Sequence, residues 1–104
     1  MDPINERFAA RIAESIQQAM ELGYHPHRFI EMIDAHGSVA TAKRLVASGD
    51  LQDGLKKLRS MGRLDLSMES IMLEKEFSRL FSDQERAAAR WRLDQVQNDQ
   101  RARP

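Results

Sequence analysis

This chain of 104 residues contains no cysteine, which excludes disulfides and thiolate metal sites. No run approaches the roughly 18 apolar residues of a membrane span. The first residues, MDPINERF, mix charges and carry no apolar stretch of signal-peptide type. Net charge is missing too. Sixteen basic and 16 acidic residues cancel, which argues against a surface built throughout for nucleic acid or an anionic membrane. The five glycines are spread over about 40 residues, so no glycine-rich loop is available to cradle a phosphate. These absences imply a soluble cytoplasmic protein with no membrane partner and no cofactor.

What is present is a high share of charge, 31%, beside 41% hydrophobic residues. That balance fits one domain with a modest core and a stability in the usual range of about 5–15 kcal/mol. Glycine and proline divide the chain in a helical way. Pro3 opens a helix running to about Leu22, with Ile4, Phe8, Ile12, Ile16 and Met20 recurring every fourth residue, and Gly23 ends it. Pro26 takes the first position of a short helix that turns Phe29, Ile30 and Ile33 inward and stops at Gly37. Ser38 caps the next helix, which buries Val39, Ala42, Leu45 and Val46. Asp50 caps a fourth, with Leu51, Leu55 and Leu58 on one face before Gly62.

In RLDLSMES, Leu64 and Leu66 alternate with polar residues and suggest a short extended piece, too brief for a sheet. Ser67 reads as an N-cap, with Leu66 and Ile71 at the spacing of a hydrophobic staple. The fifth helix offers Ile71, Met72, Phe77, Leu80 and Phe81. SDQE, Ser82 to Glu85, is a capping box opening a last helix with Ala88, Ala89, Trp91, Leu93 and Val96 as its apolar positions. The expected fold is all-α, a compact orthogonal bundle of five or six short helices. Residues 1–22 form an amphipathic helix packed on the domain, 23–96 the helical core, and 97–104 a disordered tail.

Little in this sequence looks like chemistry. All three histidines, His25, His27 and His36, fall in GYHPHRFIEMIDAHG. His27 and His36 are nine residues apart, about 180° around one helix, so they cannot aim at a single ion. Zinc takes about four ligands, and no H-E-x-x-H spacing occurs. The stretch reads as a capped helix with turn histidines. None of the serines sits in a G-x-S-x-G elbow. A short helical domain seldom spares a large pocket, so no catalytic residue is assigned. Asp65, Glu69, Glu74 and Glu76 are acids near helix starts, where they complement the dipole.

Charge distribution says more. Residues 38–63 carry Lys43, Arg44, Lys56, Lys57, Arg59 and Arg63 against Asp50 and Asp53, an excess of four (six minus two). These six cations are the expected partner-binding set. The six methionines suit either core gaps or an adaptable groove, and core filling is favoured for Met20, Met32, Met68 and Met72. Trp91, near Arg90 and Arg92, serves either as a partner anchor or, as favoured here, as the clamp of the last helix on the core.

Three stretches, GYHPHRFIEMIDAHGSVATAKRLV, GLKKLRSMGRLDLSMESIML and EFSRLFSDQERAAARWRL, resemble a small bacterial all-helical domain of unassigned function. That domain's loose pattern is GYxPxxF, HG, GxxxLxxxGRLDL[ST]xE and LFxxxExxxAxxRL, and it is sometimes attached to nuclease-like or defence-associated proteins. The resemblance covers about residues 23 to 93 and carries no catalytic residue. It suggests a polar knot of Arg63, Asp65 and Glu69 with Tyr24 or His36. The expected function is a non-enzymatic protein-interaction module, adaptor or regulatory, with a protein partner. The alternative is a nucleic-acid accessory domain using the basic 43–63 patch on phosphates, whose binding would fall steeply with salt.

Overall fold

Where the apolar residues repeat, and where glycine interrupts them, decides the architecture. The computed structural model describes residues 3–48 and 53–101. Among these residues every regular element is helical. The order is α1 (Pro3–Glu21), α2 (His27–His36), α3 (Ser38–Ala47), α4 (Asp53–Ser60), a first 3-10 turn (Leu64–Leu66), α5 (Met68–Met72), a second 3-10 turn (Lys75–Leu80) and α6 (Asp83–Arg101). The expected Asp50 cap and Leu51 lie outside the described residues. The Cα radius of gyration, 13.2 Å, is that of a folded chain of this length. No described helix is long and apolar enough to cross a membrane.

The inward face of α1 is Ile4, Phe8, Ile12, Ser15 and Ala19, not the strict every-fourth stripe. Four residues turn a helix by about 400°, so a stripe at that spacing winds off the face by about 40° per step. The three-residue step from Ile12 to Ser15 corrects the drift. Met20 is consequently 37% exposed, and Ser15 is buried with its hydroxyl donating to the Ile12 carbonyl at 2.7 Å. The main core joins Ile4, Phe8 and Ile12 to Ala42 and Val46 of α3, Met68, Ile71 and Met72 of α5, then Phe77, Phe81 and Ala89. A smaller cluster, Ala19, Leu58 and Leu66 with Tyr24 packed against it, lies toward the other end of α1.

The helix ends control what is placed where. At the end of α1, Gly23 has φ +95°, its N–H donates to Met20 O, and the Tyr24 N–H donates to Ala19 O. That is a Schellman closure, and it turns Tyr24 back onto the small cluster. Gly37, at φ 85° and ψ 164°, occupies a region essentially closed to residues with a Cβ. It lets α3 begin at once, so Ser38 is the buried first residue of α3 and the cap position falls on Gly37, which has no side chain to offer.

Three further expectations change. The leucines of RLDL form a 3-10 turn instead of an extended pair, because the hydroxyls of Ser67 and Ser70 both donate to Leu64 O at 2.7 Å. Leu66 enters the small cluster and Ile71 the main core, so they do not join as a staple, although Ser67 caps α5 by accepting from Ser70 N–H at 3.1 Å. The fifth helix stops at Met72, and extended Glu74 leads into the second 3-10 turn, where Phe77 and Phe81 meet Phe8 edge-on. The SDQE box forms as expected: the Ser82 hydroxyl accepts from Glu85 N–H at 3.0 Å, and the Glu85 carboxylate accepts from Ser82 N–H at 2.9 Å. α6 runs to Arg101, and residues 102–104 of the segment expected as a tail lie outside the described residues.

Candidate functional site: a groove beside a buried ion pair

The six cations expected to bind a partner do not form one free surface. Lys43 on α3 pairs with Glu85 of α6 at 3.5 Å. Arg59, half-buried on α4, donates from Nη1 to Val96 O at 3.2 Å and ties α4 to α6. Arg63 grips Asp65 through two bonds, Nε to Oδ1 at 3.0 Å and Nη2 to Oδ2 at 3.1 Å, and also reaches Gln18 Oε1 at 3.4 Å. Arg44, Lys56 and Lys57 are exposed. Half of the set is therefore engaged in holding elements together.

The fork between Arg63 and Asp65 raises the guanidinium pKa and holds the Asp65 carboxyl below its usual range. The side-chain hydrogen bond is the main cause in both. This much of the suggested knot is present. Glu69, however, accepts from Arg92 Nε at 2.7 Å, the two side chains being 3% and 1% exposed. His36 is exposed at the end of α2, lining a shallow surface pocket with Arg28 and Glu31.

Arg92 is a residue the sequence concealed. Its α6 neighbours Ala89 and Val96, three before and four after, are buried with it. This phase turns Trp91 outward to 48% exposure, so the ion pair beside it, and not the indole, fastens α6 to α5. An arginine within a polar helix reads as surface. Only a residue's phase between Ala89 and Val96 marks this one as buried.

On one side of Glu69 lies a groove of about 420 Å³. It falls within the range of protein binding pockets, about 300–1,000 Å³, and corrects the expectation that so short a domain lacks one. Its floor is the small cluster, with Ala19 of α1, Leu58 of α4 and Leu66. One wall is α2, where Phe29 and Met32 are three residues apart on the same face. Leu45 of α3 and Leu55 of α4 add to the apolar lining, with Ile16 and Met68. The polar groups are Tyr24, His25, His27 and Arg28, delivered by the turn after Gly23, with Ser15, Ser67 and Glu69 deeper.

His25 and His27 flank buried Pro26, their rings stacked with centroids 6.0 Å apart and planes within 14°. No group of three His, Cys, Asp or Glu able to hold a metal converges among the described residues. The methionines divide by place. Met68 and Met72 fill the core, Met32 faces the groove, and Met20 is exposed.

No family model matches the chain, and no curated protein or solved structure matches it.

Proposed function

We propose that this protein is a non-enzymatic helical interaction module of the bacterial cytoplasm, an adaptor or regulator that docks a protein partner in the groove between α1, α2 and α4. The observation that carries this reading is the groove itself. It is a half-open, mainly apolar concavity with a side chain of adaptable shape, Met32, in its wall and polar groups gathered at one end. Its carboxylate, Glu69, is already neutralised by Arg92, which supports a binding role over acid–base work. The apolar residues that α3 and α4 contribute, Leu45, Leu55 and Leu58, belong to the helices expected at the contact. Docking moves from their basic faces to the apolar side between them. The nucleic-acid alternative has less to draw on than the charge count suggests, because Arg59 is half-buried and donates to Val96 O within the fold.

The test is capture from the native host with the tagged protein, nuclease-treated and untreated, beside a Met32→Glu variant. A stoichiometric protein that survives nuclease and is lost with Met32→Glu, at unchanged helical circular dichroism, is the expected result. A partner that Met32→Glu still captures places docking elsewhere. Partners that vanish with nuclease move the function to phosphate binding.

A further inference from the structure

We propose that the segment seated in this groove is an acidic amphipathic helix of the partner, with its apolar face on the groove and its carboxylates toward Arg28, His25 and His27. The inference rests on the groove being the docking site and adds the chemistry of what it accepts.

Charge placement favours an acidic guest. The polar end of the groove is built from one segment, residues 25–28, which offers a guanidinium and two imidazoles, all on exposed residues. The carboxylate in the lining, Glu69, is 2% exposed and bonded to Arg92. An incoming segment therefore meets donors and positive charge at the rim and no accessible negative charge within the groove. A partner with Asp or Glu at its rim positions gains attraction, and one with Lys or Arg meets repulsion from Arg28.

The described residues offer no strand and hence no sheet edge for an extended peptide. Pairs of lining residues one turn apart, Phe29 with Met32 on α2 and Leu55 with Leu58 on α4, give the groove helical walls, with Leu58 reaching into its floor. Side chains recurring at i, i+3 or i+4, and i+7 of a third helix interdigitate between such walls. The volume of about 420 Å³ holds the anchors of one helix face and not a larger domain.

The experiment is selection of displayed peptides on the full-length protein. The library holds peptides of about 14 residues, near the length at which an isolated helix becomes marginal. Leucine is fixed at i, i+4 and i+7, and the remaining positions are random. Selected peptides should be enriched in Asp and Glu over Lys and Arg, and replacing their acids with lysine should weaken binding about tenfold at low salt. Arg28→Glu should reverse the preference and enrich lysine. This variant keeps its fold, because a carboxylate in the first turn of α2 complements the helix dipole.

Enrichment without an acidic bias, an unchanged preference in Arg28→Glu, or no enrichment at all would overturn the inference. Such a result is separable from failure of the docking reading. If Met32→Glu still abolishes capture of the host partner, the groove stands and only the acidic-helix assignment falls.

Discussion

Arg92→Met is expected to destabilise the protein by about 3–5 kcal/mol, because it strands a buried carboxylate without its counter-charge. At about 4–8 °C per kcal/mol for a domain of this size, Tm should fall by more than about 12 °C. Glu69 sits at the start of α5 and Arg92 in the middle of α6, each at most 3% exposed, and a 2.7 Å bond joins them. Taking both ions out of water costs several kcal/mol, which their attraction and hydrogen bonding offset only while both are present. The double variant Glu69→Met with Arg92→Met should therefore be more stable than Arg92→Met alone. Thermal melts of the two singles and the double decide the matter. Additive losses would mean that the pair is not energetically coupled.

Phe8→Ala is the second large effect, expected to cost about 3–5 kcal/mol. Phe8 is fully buried and lies edge-on to two rings, with centroids 5.2 Å from Phe77 and 5.3 Å from Phe81. Its removal leaves a cavity where α1 meets the second 3-10 turn. It also removes edge-to-face attraction worth about 0.5–1.5 kcal/mol per pair beyond burial alone. Ion pairs from the exposed face of α1, Arg7 to Glu76 and Arg11 to Glu74, span the same junction. They are exposed or half-exposed and cannot hold it alone. Urea unfolding reads the loss, and a cost under about 1 kcal/mol would show that the ring cluster is not the centre of the core.

Particular residues show how far the sequence is legible. Gly23, Gly37 and Gly62 all have positive φ where helices were expected to stop, and the Ser82–Glu85 box is fully formed. These signals are local: a backbone angle or a bond three residues away decides them. The expectations that changed depend on neighbours far along the chain. Glu69 is paired by a residue 23 positions on, and Arg59 is held by a carbonyl 37 positions on. A basic run counted along the sequence says nothing of such partners, so a patch that looked free is half used.

The groove escaped for a related reason. Its lining comes from α1, α2, α3, α4 and the start of α5, and no two contributing pieces advertise a pocket by themselves. GYHPHRFIEM forms a turn and then α2, which begins at His27, with Pro26 in the cap position instead of the first helical one and no side-chain cap bond. Only the fold shows that Phe29, Met32 and Arg28 line one groove with Leu55 and Leu58.

Hydrogen–deuterium exchange of the protein, alone and with its captured partner, would test the groove most directly. Slowed exchange in residues 24–32 and 54–58, with little change in the outer turns of α6, is the result expected. Protection confined to α6 around exposed Trp91, leaving 24–32 unchanged, would contradict docking in the groove.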